Sequence, residues 1–443
     1  MNVATITGTL IAILLIVILV VYAGRLNRHL TLFLWSLFVV IVLGTLTIFI
    51  IQAAENKDLE IATEDLTTPV ISQNISSDSV QETEIIDVED ITPPGVSTES
   101  IQQEEEDVLA ENEYLVDSAS DNQIVITFAG DVLFDPGYAI YNAYKNNGYD
   151  IANCISTDLL SEMHAADIMM VNNEFPYSLA GSPLEGKTYT FRANPDSAQI
   201  LHEMGVDLVS IANNHAYDYG ETALVDTLDT LAASDMPYVG AGRNIEEAAR
   251  PVYFIAGDTK IGIIGTTQIE RFSSPDTRGA TQTSPGVFRC YEDITPLLET
   301  IKETKANCDF VIVYVHWGTE NTDVLDWCQT SQAPQIVEAG ADLIIGDHPH
   351  CLQEIGYIDG VPIVYSLGNF WFNSKTVDSC IVTATLTNGE LTSLQFLPCL
   401  QSGCGVSLLS GDERMRVITY MQSISTTAQI DDNGYITPLT AGE

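Results

Sequence analysis

The sequence predicts a layered α/β domain that follows an apolar N-terminal segment and an acidic linker. Three observations predict this organisation. Residues 1–53 contain no acidic residue, residues 54–121 are rich in acidic and small polar residues, and from Asn122 onward short apolar runs alternate with helix-like stretches. Apolar runs of strand length between helical patterns are typical of sheets covered by helices.

The N-terminal segment, residues 1–53, is predicted to form a hairpin of two transmembrane helices. Residues 4–21 and 30–51 are apolar runs, each close to the roughly 20 residues that cross a bilayer. Arg25 and Arg28 lie between the runs, and the positive-inside rule places this turn in the cytoplasm. We therefore expect a two-span protein of the cell membrane whose main domain is extracytoplasmic. A buried apolar hairpin in a soluble core is the alternative.

Residues 54–121 are predicted to be an acidic, disordered linker. Residues 55–121 contain 20 Asp and Glu and one basic residue, Lys57. Such a segment buries too little apolar surface to offset the entropy of ordering, and its like charges keep it extended. We expect a spacer that holds the domain of residues 122–400 away from the bilayer. A binding role for the acidic run at residues 104–107 is the alternative.

The charge balance excludes one class of partner. The 443 residues include 17 Lys and Arg against 61 Asp and Glu, a formal net charge of −44. Nucleic acid binding depends on a basic surface that releases counterions from phosphates. We therefore expect no nucleic acid partner.

Two features are left open by the sequence. The 8 cysteines all follow the linker, and in an extracytoplasmic domain they permit either disulfides or buried free thiols. Residues 401–443 are predicted to be a C-terminal extension, which either packs against the domain or trails from it.

Within residues 122–400, polar residues directly follow six of the apolar runs. In open α/β sheets, ligands bind beyond the carboxyl ends of the strands, whereas packing alone requires only turn-forming residues there. We therefore interpret the six groups as one polar site that the fold assembles. They are Gly130-Asp131, Asn172-Asn173-Glu174, Asn213-Asn214-His215, His316-Trp317-Gly318, Gly346-Asp347-His348-Pro349-His350 and Gly368-Asn369-Phe370.

The residue types in these groups predict a metal centre. Carboxylate, amide and imidazole ligands without thiolates suit divalent ions such as Mn, Fe or Zn. Two such ions bridged by one carboxylate can hold a hydroxide and clamp a phosphoryl or acyl oxygen. His215 follows a candidate ligand and is a candidate to protonate a leaving group or to stabilise charge. The candidate ligands are Asp131, Glu174, Asn214, His316, His348 and His350.

In this order, the six groups resemble the CapA family of poly-γ-glutamate capsule biosynthesis proteins, over residues 123–397. That family is similar to the calcineurin-like metallophosphoesterases. The resemblance implies an α+β sandwich of two mixed β-sheets flanked by helices, two divalent metal ions and His215 as the catalytic histidine. By the same resemblance, Asp131, Glu174 and His350 hold one ion, and Glu174, Asn214, His316 and His348 hold the other, with Glu174 bridging.

The chain departs from the metallophosphoesterase pattern at two places. Leu133 stands where an Asp-x-His motif has its histidine, so the first ion loses one imidazole ligand. Asp347 replaces a small residue, and it either orients a ligand imidazole from outside the coordination sphere or caps a turn. Glu320, four residues after His316, is a second candidate for such a supporting role.

Arg192 is a candidate substrate-binding residue. It lies in Phe191-Arg192-Ala193, a segment similar to one of the CapA family. A guanidinium group can bind an anion through two parallel hydrogen bonds. Pairing with one of the many carboxylates of this chain is the alternative.

The resemblance implies a role in the synthesis, export or anchoring of poly-γ-glutamate capsule or a related envelope polymer. The reaction expected is metal-assisted hydrolysis or transfer at a phosphoester or an amide. The expected partners are the lipid bilayer, an anionic envelope polymer or its precursor, and other capsule-synthesis membrane proteins. The alternative is a non-catalytic scaffold or polymer-binding subunit of an envelope export complex.

Overall fold

The computed structural model describes residues 109–118, 122–269 and 277–439. The predicted membrane hairpin and the linker up to residue 108 lie outside the described residues. Within the described ranges, no helix is both long enough and apolar enough to cross a bilayer. What the structure describes is the layered domain and the residues on either side of it.

The described residues form strands and helices in the following order. The strands are β1 (Glu113–Leu115), β2 (Gln123–Val132), β3 (Ile168–Asn173), β4 (Leu208–Ser210), β5 (Tyr238–Val239), β6 (Ala241–Gly242), β7 (Val252–Ala256), β8 (Thr259–Thr267), β9 (Gly286–Val287), β10 (Phe310–His316), β11 (Leu343–Asp347), β12 (Ile355–Ile358), β13 (Val361–Val364), β14 (Asn369–Trp371), β15 (Val377–Thr387), β16 (Glu390–Ser402), β17 (Gly405–Leu408), β18 (Ala428–Ile430) and β19 (Ile436–Pro438). The helices are α1 (Ala139–Asn146), α2 (Thr157–His164), α3 (Gln199–Glu203), α4 (Gly220–Ala233), α5 (Ile245–Ala249), α6 (Thr295–Lys305), α7 (Trp327–Ala339) and α8 (Gly411–Ile424).

Two large mixed β-sheets dominate the described part of the chain. One has seven strands in the order β1–β7–β8–β10–β11–β13–β12, and the other has eight in the order β17–β16–β15–β2–β3–β4–β5, with β14 beside β2. Both contain parallel and antiparallel pairs. The prediction of two mixed sheets flanked by helices is confirmed.

One buried apolar cluster lies between the sheets and explains why the strands appear as continuous apolar runs. In β10, Ile312 and Tyr314 pack against Phe128 of the other sheet. The intervening residues Val311 and Val313 pack on the opposite face. Because both faces of such a strand are buried, apolar residues occupy successive positions instead of alternating with polar ones.

Helices cover the outer face of each sheet. Leu159 of α2 and Leu224 of α4 pack in one cluster with Val171 of β3. Ile301 of α6 and Ile336 of α7 pack against the seven-stranded sheet in another. The result is a four-layer arrangement of helices, sheet, sheet and helices. The helices cover the sheet faces, so polar residues can occupy the ends of the strands.

Part of the predicted linker is ordered. Residues 113–115 form β1, which pairs in parallel with β7 in the register Glu113↔Tyr253 to Leu115↔Ile255. Tyr114 also packs on the inter-sheet cluster. The prediction of disorder is therefore wrong for residues 109–118, because this short apolar stretch finds an open sheet edge with which to pair.

The residues assigned to the C-terminal extension, 401–443, contribute to the same layers as far as residue 439. β17 adds a strand beside β16, and Val417, Ile418 and Met421 of α8 are buried in the inter-sheet cluster. β16 itself continues across the predicted boundary at residue 400. The described residues of this segment therefore pack against the domain and do not trail from it.

The register of the parallel strands brings the polar strand ends together. In the eight-stranded sheet, Asp131 of β2 lies opposite Asn172 of β3 and Asn369 of β14. In the seven-stranded sheet, His316 of β10 lies opposite Asp347 of β11. These residues come from distant parts of the chain. Asp131, Asn172, His316 and Asp347 lie at or near the carboxyl ends of their strands, whereas Asn369 begins β14.

We predict that Gly130→Ala lowers the free energy of unfolding by roughly 3 kcal/mol, the upper range for overpacking a core. A Cβ atom at Gly130 would lie 1.9 Å from the carbonyl oxygen of Gly368, which also accepts a hydrogen bond from the amide of Asp131. Urea denaturation of the purified protein measures the loss.

The matched control for this prediction is Gly360→Ala. Gly360 has a φ of +87°, and a Cβ atom added to it would have nothing within 4 Å, so only left-handed strain of about 1–2 kcal/mol is added. Equal losses in the two variants would show that the contact with Gly368 does not restrict this strand.

Candidate metal centre

The six predicted ligands lie in one pocket at the shared carboxyl edge of the two sheets. Three groups of acidic and histidine side chains there have potential ligand atoms within 4.8 Å of one another. Most of these side chains are fully or almost fully buried. The groups are Glu174, His316 and His348; Asp131, Glu174 and His350; and Asp131, His316 and Asp347.

The first group is centred on Asp131 and His350. Nδ1 of His350 lies 2.9 Å from Oδ2 of Asp131, while Oδ1 of Asp131 accepts a hydrogen bond of 2.8 Å from Asn172. Burial would raise the pKa of Asp131, but the hydrogen bond and positive charge of His350 outweigh it and hold that pKa below its usual value. Asp131 is therefore an ionised carboxylate inside the protein.

The second group is centred on His316. Its Nε2 atom lies 2.8 Å from Oδ1 of Asn214 and 3.0 Å from Nδ1 of His348. The imidazole is completely buried, and this burial lowers the pKa of His316 to about 3. The ring is therefore neutral and carries a single proton.

The position of that proton depends on Asp347. Oδ1 of Asp347 lies 2.8 Å from Nδ1 of His316, and burial together with the charge of Asp131 raises the pKa of Asp347 well above its usual value. If Asp347 is protonated, it donates to Nδ1, and Nε2–H donates to Asn214. If Asp347 is ionised, it accepts from Nδ1–H, and the lone pair of Nε2 is a metal ligand. A cation beside Nε2 selects the second arrangement.

Glu174 belongs to two of the three groups. Its Oε1 atom is buried without a hydrogen-bond partner, 3.8 Å from Nε2 of His215 and 3.9 Å from Nε2 of His316. Burial and the charges of Asp131 and Asp347 raise the pKa of Glu174 well above its usual value. An unpaired buried carboxylate oxygen is costly, and a cation shared by both groups would remove that cost.

The backbone of the His-Pro-His segment is held in an uncommon conformation. His348 and His350 have φ values of 93° and 57°, in the left-handed region that residues with a Cβ atom rarely adopt. Such strain persists where the surrounding structure enforces it, and it concentrates at functional sites. Here it aims both imidazoles into the same pocket.

The donor set therefore fits a pair of divalent ions. It combines carboxylate and amide oxygens with neutral imidazole nitrogens, without thiolates, and it contains an orphaned carboxylate oxygen at the point that the two groups share. These donors suit Mn, Fe or Zn. Asp347, for which the sequence leaves open a supporting role or a turn cap, contacts Nδ1 of His316, the ring nitrogen other than the one beside Asn214.

His215 stands at the mouth of this pocket. Its Nδ1 atom lies 2.7 Å from Oδ2 of Asp218, and its ring stacks on Phe191 with centroids 4.1 Å apart. Burial and the positive charge of Lys187 lower the pKa of His215 well below its usual value. A neutral imidazole whose Nδ1–H is directed at Asp218 has its Nε2 lone pair on the side of Glu174.

Asp218 and Lys187 contact the candidate site, and sequence reasoning missed both of them. Asp218 accepts hydrogen bonds from the Lys187 ammonium and from the backbone amide of Phe191. Burial, partly offset by Lys187, raises the pKa of Asp218 to about 7. The Lys187 ammonium also donates to the carbonyl oxygen of Asn214, so this pair ties the loop before Phe191 to the ligand segment. The position of Asp218, three residues after His215, was an available signal.

Arg192 and Glu320 do not belong to the three groups of candidate ligands. The guanidinium of Arg192 covers the ring of Tyr219 at 4.4 Å from its centroid, and its backbone amide donates to the buried carboxylate of Asp135. Glu320 is exposed and lines the cleft in front of the pocket. Substrate binding by Arg192 and a supporting role for Glu320 stay predictions.

A cleft of about 460 Å³ opens onto His215 and His350. Its walls combine aromatic rings with His350 and with one lysine, Lys375. Leu133, which replaces the expected histidine, also lines it. The cleft therefore offers an extended molecule access to the candidate metal ligands.

These observations define a two-sheet α/β protein with a buried pocket of divalent-metal type. The family described as bacterial capsule synthesis protein PGA_cap matches residues 125–374, which contain every candidate ligand. The chain belongs to this family.

Relatives of known name support the assignment. PGA biosynthesis protein CapA of Bacillus subtilis (strain 168) is 30% identical over 272 residues, which cover 60% of this chain and 69% of that protein. Capsule biosynthesis protein CapA of Bacillus anthracis is 32% identical over 254 residues, 55% of this chain and 59% of that protein. Among solved structures, TT1561 of Thermus thermophilus aligns with 60% of this chain and 99% of its own at 10% identity, with a TM-score of 0.35, too low to establish a shared fold.

We predict that Mn²⁺ raises the thermal midpoint of the metal-free protein, because an ion that binds only the folded state stabilises it by about 2.7 kcal/mol at 100 times its Kd. Glu174→Gln should abolish this rise, since the shared carboxylate is lost. The metal-free variant should be at least as stable as the original, because a neutral amide replaces a buried carboxyl group whose charged form is disfavoured there. Differential scanning calorimetry with and without Mn²⁺ measures both effects.

Glu303→Gln is the control for the loss of a carboxylate, since Glu303 is exposed on α6, and it should keep the full rise. A rise in Glu174→Gln equal to that of the unchanged protein would contradict the assignment of Glu174 as the shared ligand.

Proposed function

We propose that this protein is a metal-dependent hydrolase or transferase of the bacterial cell envelope that acts on a phosphoester or amide during capsule polymer synthesis. The observation that carries the proposal is the position of His215. Its Nε2 atom lies 3.8 Å from the orphaned Oε1 of Glu174, beside the pocket and open to the cleft. Metal binding alone requires no imidazole there.

The chemistry divides between the ions and the chain. Divalent ions, when bound, supply Lewis acidity towards a phosphoryl or acyl oxygen and lower the pKa of water. Asp131, Glu174, Asn214, His316, His348 and His350 would hold them.

His215 would move the proton. As a neutral imidazole it would accept a proton from the attacking water at Nε2 and pass it to the leaving group, and Asp218 would stabilise the imidazolium formed in between. The stack of Phe191 on one face of the ring and the hydrogen bond to Asp218 hold it in one orientation. A positioned general acid–base of this kind contributes roughly 10²–10⁴-fold to rate.

The names of the relatives support a role in the poly-γ-glutamate capsule or a related anionic envelope polymer. The cleft is large enough to receive a segment of chain, and Lys375 supplies one positive charge at its wall. Elsewhere the acidic surface repels a polyanion, and the charge of bound ions would dominate near the pocket. The same repulsion would assist release of the product.

The predicted hairpin of residues 1–53 supports anchoring in the cell membrane with the domain on the extracytoplasmic side. The acidic linker would then carry the cleft away from the bilayer, within reach of a growing polymer and of other capsule-synthesis membrane proteins. Protease protection of the domain in spheroplasts and in inverted vesicles would test this orientation.

We predict that the Mn²⁺-loaded protein hydrolyses bis-p-nitrophenyl phosphate and that His215→Ala lowers kcat by about 100-fold or more. Metal content, measured by elemental analysis, should be unchanged in this variant, because the substitution removes a proton carrier and not a ligand. A matched control is His202→Ala, which should leave kcat unchanged. The ring of His202 contacts the carbonyl oxygen of Ser234 on the protein surface.

Two other outcomes would decide against this proposal. Equal turnover in the His215→Ala variant would remove the catalytic role of this histidine. A metal-free protein that binds poly-γ-glutamate without turnover would identify a scaffold or polymer-binding subunit instead.

A further inference from the structure

The two halves of the metal pocket are unequal in their assigned ligands. Glu174, Asn214, His316 and His348 give the second group four donors. The first group has Asp131, Glu174 and His350 only. Leu133 offers no donor atom, although it lies beside this group at the wall of the cleft. The first group is therefore one donor short of the second.

The side chain of Asn369 lies at the first group. Its Oδ1 atom is 2.9 Å from Nδ1 of His350, and the same nitrogen is 2.9 Å from Oδ2 of Asp131. A ring nitrogen carries at most one proton, so it cannot make a full hydrogen bond to both oxygens. The oxygens of Asp131 and Asn369 therefore converge on Nδ1 of His350. In the second group, Asn214 and His348 converge on Nε2 of His316 in the same way.

The fold holds Asn369 in this place. It is the first residue of β14, which pairs in parallel with β2 so that Asn369 lies opposite Asp131. The residue before it, Gly368, accepts the backbone hydrogen bond of Asp131 at 3.1 Å. Asn369 is 2% exposed. A buried amide on a paired strand has a fixed direction, and this one is directed into the pocket.

We infer that Oδ1 of Asn369 is the fourth protein ligand of the first ion, so that each of the two ions is held by one amide oxygen. This inference rests on the metal binding proposed above. With Asn369, the first group has three oxygen donors and one imidazole, whereas the second has two oxygens and two imidazoles. Since oxygen-rich sites favour harder ions, the first group should prefer Mn²⁺ over Zn²⁺ more strongly than the second.

Titration of the metal-free full chain with Mn²⁺, followed by the electron paramagnetic resonance signal of free Mn²⁺, tests the inference. The unchanged protein should bind two ions. Asn369→Ala should bind one ion with unchanged affinity and the other about 10–100-fold more weakly. Asn369→Asp should bind both, because its carboxylate restores an oxygen donor. Asn321→Ala is the control, since Asn321 lines the same cleft but is exposed.

A double-mutant cycle with His350 separates a ligand from a residue that only orients the imidazole. If Asn369 is itself a ligand, Asn369→Ala weakens the remaining affinity of the His350→Ala protein further, by about 10-fold. If it acts only through His350, the second substitution has no further effect. The latter result would overturn the inference.

The titration distinguishes failure of the proposed metal centre from failure of the role of Asn369 alone. If the unchanged protein binds no Mn²⁺, the metal centre and this inference fall together. If it binds two ions and Asn369→Ala binds both with the original affinities, the metal centre stands and only the role of Asn369 is wrong. The circular dichroism melting curves of the metal-free variants show whether each is folded.

Discussion

The structure depends on the enclosure of three carboxylates in one buried pocket. Asp131, Glu174 and Asp347 have no exposed surface, and burial and the charges of their neighbours raise the pKa values of Glu174 and Asp347 well above the usual range. Buried acidic groups at such short range cannot all ionise without a compensating cation. Divalent ions would supply that charge next to the oxygen of Glu174 and the oxygen of Asp347 that are buried without hydrogen-bond partners.

The layered fold creates this pocket because the apolar residues that stabilise the layers lie within the strands, whereas the polar residues of the candidate site lie at the strand ends. The interiors of β2, β3 and β10 are apolar on both faces and hold the layers together. The residues at their carboxyl ends are not needed for packing between the layers, so acidic, amide and imidazole side chains can occupy these positions. Pairing registers such as Asp131↔Asn172 and His316↔Asp347 then set the distances between residues that lie far apart in the sequence.

The sequence predicts much of this arrangement because strand ends can be recognised in it. The layered α/β class follows from the alternation of apolar runs with helical patterns, and the two mixed sheets follow from the family resemblance. The six candidate ligands follow from polar residues after apolar runs. Lys187 and Asp218 were missed because their pairing spans a loop whose path no local pattern defines. Asn369 is not among the six candidate ligands predicted from the sequence, since its proximity to Asp131 depends on the pairing of β14 with β2. The order of residues 109–118 depends likewise on an open edge at β7.

The central claim is that two cations share Glu174, and anomalous X-ray diffraction from crystals grown with Mn²⁺ tests it most directly. The account predicts two anomalous peaks on either side of the Glu174 carboxylate, one beside Asp131 and His350 and the other beside His316 and His348. A map without a peak near Glu174, from crystals with Mn²⁺ well above any physiological level, would contradict it.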